Sequence, residues 1–229
     1  MVKKPGAKKA TGKKASAKKA AADTSGADTF RADPAAQIIA TAFDMALDQG
    51  WSDLSLAEIA EAAGLPLSRV YAVFPSKQAI LDGFSRQIDA AMLAEGVEDL
   101  DLPARDRLFD MIMRRFDALQ PQKEALAVIL QDQLRDPLAA CCGLDRLGRS
   151  MSATLEAAGF STTGCRGLLR IKGLSALYLS TLRVWLRDDS EDMARTMAHL
   201  DKQLSRIDSL MGRLSRRHHH GHRPGPAPA

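Results

Sequence analysis

Between residues 54 and 81 the chain reads LSLAEIAEAAGLPLSRVYAVFPSKQAIL, and here hydroxyl, guanidinium and aromatic side chains fall at spacings suited to nucleic-acid recognition. Arg69 on a short helix can donate a bidentate pair to guanine O6 and N7, a contact that contributes about 1–3 kcal/mol of discrimination between bases. Ser68 beside it can bond a base edge or a phosphate, and Leu67 and Ala72 are offered on the same outward side. Ser76 stands where a following helix begins, and helix N-termini direct N–H groups toward phosphate oxygens. Ser55 holds the equivalent place one helix earlier.

Chemistry of other kinds finds no support. There is no glycine-rich phosphate loop, no nucleophile elbow and no His/Glu pair at zinc spacing. The sequence therefore predicts a non-enzyme with no cofactor and no metal. Cys141, Cys142 and Cys165 make an odd count without ligand spacing; the vicinal Cys141 and Cys142 read as buried or half-buried free thiols of a reducing compartment rather than a disulfide. His218, His219, His220 and His222 cluster in a basic, then Pro- and Gly-rich end, read as a disordered tail with incidental metal affinity.

The elements that must position the recognition residues follow from periodicity. Leu56, Ile59, Ala60 and Ala63 fall at helical spacing and Gly64 stops that helix. Leu67, Val70, Tyr71 and Phe74 place a second short helix with these four on one face, and Pro75 ends it. Ser76 caps a third, in which Ile80, Leu81 and Phe84 repeat the apolar face. Two short helices around a tight Gly-containing turn make a helix-turn-helix, whose second helix is the one offered to the major groove. Before it, Asp33 and Pro34 open a helix over 34–49, with Ile38, Ile39, Ala42, Phe43, Ala46 and Leu47 inward. Trp51 packs where this helix meets the next.

These residues carry a resemblance. Leu56, Ile59, Ala60, Ala63, Gly64, Leu65, Val70, Tyr71, Phe74, Ser76, Lys77 and Leu81 resemble the N-terminal domain of TetR-type transcriptional regulators, and the likeness extends over residues 34–87. It implies an all-α protein: an N-terminal three-helix domain with the helix-turn-helix, then a helical bundle for ligand binding and dimerisation. It implies that Tyr71 matches the family's recognition-helix aromatic and Lys77 its phosphate-contacting lysine. It also implies a cytoplasmic, ligand-responsive repressor that binds double-stranded DNA at a palindromic operator as a homodimer. Pro66, Leu67, Ala72 and Val73 depart from the family's more polar pattern and leave this recognition helix more apolar.

Outside this region the composition favours helix throughout, with no alternating strand pattern between turn signals. The first twenty-two residues carry eight lysines and no acid. They exceed the chain's net charge of +4, so the remainder is net acidic and any nucleic-acid contact must come from local patches. Residues 1–32 read as a disordered, Lys-rich arm, 33–87 as the DNA-binding domain, 88–214 as the effector-binding and dimerisation domain and 215–229 as a disordered His/Pro-rich tail. No apolar run of membrane-spanning length is present.

In the larger domain, helices are expected from Pro103, Pro121 and Pro137, then over 162–187 and 190–214, the last capped by Ser190. Leu126, Val128, Ile129, Leu130 and Leu134 are expected inward. Leu168, Leu169, Ile171, Leu174, Leu177, Tyr178, Thr181, Leu182 and Trp185 form the stripe of the first long helix. A pocket for an unknown small apolar effector is expected among Phe109, Met113, Phe116, Leu130, Leu174 and Tyr178. The segment WLRDDSEDMARTMAHLDKQL, through Trp185, Asp188, Ser190, Thr196, Leu200 and Asp201, also resembles the C-terminal part of COQ9 proteins. That second resemblance implies the alternative of a lipid- or quinone-precursor-binding accessory protein in ubiquinone biosynthesis.

Overall fold

The computed structural model describes residues 33–94, 96 and 102–219, with side chains through Ser209. The lysine arm and most of the histidine cluster lie outside the described residues. Helix α1 (Pro34–Gln49) starts where Asp33 Oδ1 accepts the Ala35 N–H at 3.0 Å. Gly50 ends it at φ +84°, a conformation that disfavours a Cβ. Helix α2 (Leu56–Ala62) opens on a capping box: Glu58 N–H donates to Ser55 Oγ at 3.2 Å, and the Ser55 N–H donates back to Glu58 Oε2 at 2.8 Å. It closes on a Schellman turn. Gly64, at φ +64°, donates to Glu61 O, and the Leu65 N–H reaches back to Ala60 O at 2.9 Å.

Helix α3 (Leu67–Val73) follows two residues later, and α4 (Lys77–Ala94) begins after Ser76, whose Oγ accepts the Ala79 N–H at 3.1 Å. The helical body continues with α5 (Ala104–Leu119), a 3₁₀ turn (Gln120–Gln122), α6 (Lys123–Arg135), α7 (Pro137–Ala157), α8 (Gly164–Trp185) and α9 (Ala194–His219). No strand occurs among the described residues, and the all-α architecture agrees with the sequence.

One apolar cluster runs from Ile38 of α1 to Leu204 of α9. At its N-terminal end Phe43 lies 4.4 Å from Phe84 and 6.5 Å from Trp51, ring centroid to centroid. Val70 and Phe74 of α3 are buried in the same cluster, so the recognition helix is held by one inward edge. Gly83 on α4 makes that possible: a Cβ there would lie 2.5 Å from the Phe74 ring.

Five expectations are corrected. Leu47, expected on the inward face of α1, is 46% exposed, and Cys141 and Cys142, expected buried or half-buried, are exposed. Leu134, in the last turn of α6 before it ends at Arg135, is 78% exposed and lies outside the core. Leu168 and Leu169, at 53% and 72% exposed, leave the core and sit on the outer side of α8. Helix α9 starts at Ala194 rather than Ser190, and it continues to His219 instead of stopping at 214.

The late start has a physical cause. Buried Asp188 holds the preceding turn, accepting the N–H and Oγ of Ser190 on one oxygen and those of Thr196 on the other. Met193 then takes φ +52° to enter the helix. Burial alone would raise the Asp188 pKa, but these bonds from Ser190 and Thr196 outweigh it and lower it from 3.8 to about 2.

Two outcomes follow from this packing. Alanine normally stabilises a helix interior relative to glycine, yet Gly83→Ala is expected to destabilise the protein by about 1–3 kcal/mol, read from denaturant melts, because Phe74 must shift. For Asp188, a folded-state pKa depressed below 3.8 means that its contribution is complete above that value and is lost as pH falls toward about 2. Asp188→Asn is expected to cost about 2–3 kcal/mol at neutral pH and to flatten stability over that acid range, measured by melts at stepped pH.

Candidate nucleic-acid interface

The outward side of α3 is built by exclusion: Val70 and Phe74 turn inward, leaving Leu67, Ser68, Arg69, Tyr71 and Ala72 exposed. Tyr71, 57% exposed, is therefore not part of the buried face on which its spacing placed it; α3 is too short and too shallowly seated to bury more than one edge. Leu67, 44% exposed, stays outward. The helix has no side-chain cap, since Pro66 occupies that position, and the Arg69 and Val70 N–H groups turn back to Pro66 O.

The flanking residues are engaged within the chain. The Ser55 hydroxyl accepts the Glu58 N–H and donates to Glu58 Oε2 at 2.6 Å, and these bonds lower the pKa of the Glu58 carboxyl. Ser76 stays exposed as the α4 cap. Lys77 bends back toward the α1–α2 connection, where its ammonium donates to Trp51 O and Ser52 O, both at 2.9 Å, and lies 5.7 Å from the Trp51 ring centroid. Its burial lowers its pKa, opposed by the nearby Asp53, Asp132 and Glu58 carboxylates. An ammonium has three donors, so two bonds to carbonyls leave one for a phosphate.

Residues 38–83 match the family model of bacterial regulatory proteins, tetR family. The N-terminal helices form a TetR-type helix-turn-helix domain. The fold extends the likeness beyond it. A TetR transcriptional regulator from Nitrosomonas europaea ATCC 19718 is 28% identical with a TM-score of 0.62, covering 76% of this chain and 97% of that one. A TetR transcriptional regulator from Rhodococcus sp. RHA1 is 15% identical with a TM-score of 0.55, over 74% of this chain and 92% of its own. FadR of Thermus thermophilus, a TetR-family repressor solved in complex with lauroyl-CoA, is 20% identical with a TM-score of 0.52, over 85% and 99%. No curated protein matches the chain in sequence. Residues 170–211 match the COQ9 family model.

Behind the TetR-type domain, the six residues expected to line an effector site all pack on the common apolar cluster. Phe116, Leu174 and Tyr178 are buried within it; Phe109, Met113 and Leu130 are half-buried against it. The Phe116 ring stacks on Tyr178 at 5.3 Å and tilts against Trp185 at 5.5 Å. Sequence reading missed the polar residue at this point. Arg115 is 5% exposed, donates to Tyr178 Oη at 3.3 Å and pairs with Asp89, which also accepts the Ser150 hydroxyl. Burial alone would lower the Arg115 pKa, but Tyr178 and Asp89 more than offset it and keep the guanidinium charged. The signal was present: Arg115 interrupts the apolar face of α5 between Ile112 and Leu119.

No helix among the described residues is long and apolar enough to cross a membrane.

The inward turn of Lys77 gives a measurable outcome. Lys77→Met removes two hydrogen bonds from backbone carbonyls near Trp51 and is expected to cost about 1–3 kcal/mol of stability in the absence of DNA. An unchanged denaturation midpoint would show that the lysine serves only an outside partner.

Proposed function

We propose that the protein is a TetR-type regulator that represses transcription by binding double-stranded DNA at a palindromic operator as a homodimer. The observation that carries this reading is α3: one edge is fixed in the core by Val70 and Phe74 while Leu67, Ser68, Arg69 and Tyr71 stand exposed in a row. Arg69 reads guanine, Ser68 and Tyr71 contact base edges or phosphates, and Leu67 packs on a thymine methyl. Ser76 and the remaining donor of Lys77 meet the flanking phosphates, and Ser55 joins them by exchanging the bond from its hydroxyl to Glu58 for one to phosphate.

Dimerisation is assigned to α8 and α9. Leu168 and Leu169 are exposed on α8 near the outward Gly173 and Ala176, and Ile207 of α9 is 42% exposed. Such a surface suits a second copy better than water. The effector is a small apolar molecule received among Phe109, Met113, Phe116, Leu130, Leu174 and Tyr178; an acyl-CoA is the ligand named for the Thermus protein of this fold. The effector shifts the dimer only if it binds the DNA-released geometry more tightly than the DNA-bound one.

The COQ9 match favours a second reading, a lipid-binding accessory protein of ubiquinone biosynthesis. It ranks lower because the matched residues are engaged in the architecture. Trp185 donates its indole N–H to Gln120 at 2.9 Å, Asp188, Ser190 and Thr196 build one turn, Leu200 is fully buried and Asp201 pairs with Arg105. Either function would require them.

The test uses the full chain and a form lacking residues 1–32, each titrated with the DNA upstream of its own gene and with scrambled DNA at physiological salt. Selective binding by both forms is expected, with Arg69→Ala weakening the specific complex by about 1–3 kcal/mol, roughly five- to 150-fold in Kd. Loss of nearly all affinity with the arm would indicate sequence-independent binding by lysines. Absence of selectivity together with co-purified isoprenoid lipid would favour the accessory reading.

A further inference from the structure

Trp51 sits in the connection between α1 and α2, in the TetR-type domain, yet the groups that satisfy it come from the body. Asp132 Oδ2, on α6, accepts the Trp51 N–H at 2.9 Å and the Ser52 N–H at 3.0 Å. These two amides follow the end of α1 and have no helical acceptor. The next residue of α6, Gln133, lies at the other end of the same side chain: with its amide oriented by its neighbours, its oxygen accepts the Trp51 indole N–H at 3.2 Å and Gln78 Nε2 at 3.1 Å. Consecutive residues of α6 thus hold both the backbone and the ring of a tryptophan that is 2% exposed.

The arrangement is fixed from several sides. Asp132 Oδ1 accepts Arg135 Nη1 at 2.9 Å, leaving Oδ2 aimed at the turn, and the Asp132 side chain is 10% exposed. The Ser52 amide, foremost among its partners, lowers the pKa of the Asp132 carboxyl. Gly50, at φ +84°, turns the chain so that both amides reach one oxygen, and a Cβ there would stand 3.4 Å from that oxygen. Lys77 closes the opposite side through the Trp51 and Ser52 carbonyls.

Helix α4 is the covalent connection between reading domain and body, and one connection leaves the angle between them free to vary. A second attachment, away from the first, sets that angle. We propose that Asp132, supported by Gln133, is a positioning residue for DNA recognition: it fixes the reading domain on the body and so sets the distance between the two recognition helices of a dimer. The inference rests on the regulator reading above. It assigns operator spacing, which no residue of the helix-turn-helix sets alone, to a carboxylate on α6. Two half-sites are read together only when the helices match their separation on the duplex.

The experiment compares the full-length protein with full-length Asp132→Ala and Asp132→Asn on operators whose half-sites are kept while the spacer is lengthened or shortened by one base pair. Asp132→Ala is expected to lose about tenfold in affinity for the best spacing, as for one charged hydrogen bond. It is also expected to lose most of the wild-type discrimination against the altered spacers. Asp132→Asn keeps an acceptor oxygen and is expected to restore most of that discrimination. In parallel, amide hydrogen exchange without DNA is expected to show slow exchange at Trp51 and Ser52 in the wild type and fast exchange in Asp132→Ala, with the amides of α1 still slow.

An equal loss at every spacing would overturn the positioning role and reduce Asp132 to a general stabiliser. So would slow exchange at Trp51 and Ser52 in Asp132→Ala. If Asp132→Ala does not fold, Asp132→Ser, whose side chain is too short to reach both amides, carries the same comparison, and wild-type spacing preference with unchanged exchange in that variant overturns the proposal. If the wild type binds no DNA selectively, the regulator reading fails with the DNA-spacing role, whereas the exchange measurement still decides whether Asp132 holds the turn.

Discussion

The structure depends on how one buried tryptophan is satisfied. An indole in the core contributes a large apolar area but also carries an N–H, and its own backbone amide follows the end of a helix. Trp51 meets both demands with Asp132 and Gln133 of α6, and its carbonyl with Lys77 of α4, while its ring packs edge-on to Phe43. Removing a partner of the buried indole or of the Trp51 amide leaves a polar group without its bond, so each of these elements stabilises the others. The recognition helix takes its place from this junction, since Val70 and Phe74 are seated in the cluster that includes Phe43 and Trp51.

Much of this was legible in the sequence because it is local. The caps at Asp33, Ser55 and Ser76, the glycine after α2 and the prolines before α1 and α7 act within a few residues, and each lies where its chemistry requires. The outward placement of Ser68 and Arg69 followed from the inward placement of Val70 and Phe74. What escaped is contact at long range. Asp132 on α6 read as one more solvated acid, because its partners lie about eighty residues earlier in the chain. Ser190 had the composition of a helix cap, and its Oγ does accept the Ala194 N–H at 3.1 Å, but the turn held by Asp188 delays the helix itself to Ala194. Leu134 kept the helical period yet fell in a last turn with nothing packed over it, which periodicity does not reveal.

The body shows a comparable economy of polar groups. Arg115 is buried where α4, α5, α7 and α8 meet: it bonds Asp89 of α4 and Tyr178 of α8, and Asp89 in turn accepts the Ser150 hydroxyl of α7. A buried ion pair is weak evidence for stability, because desolvation offsets most of the attraction. It does specify geometry: α5 cannot rotate or slide without separating the guanidinium from both acceptors. Phe116 and Tyr178, stacked beside it, place an aromatic contact of the expected effector region against this buried ion pair.

The hold of α6 on Trp51 also bears on modularity. By sequence the reading domain looks detachable, a helix-turn-helix joined to the body by one helix. The hydrogen bonds from the Trp51 and Ser52 amides to Asp132 tie it to the body at a second place. A fragment ending within α4 would expose the Trp51 ring and strand two backbone amides, so the unit that can be inherited, swapped or grafted intact includes α6. A chimaera made by exchanging residues 33–87 alone would need a recipient body that already offers a carboxylate and an amide, side by side, at the positions of Asp132 and Gln133.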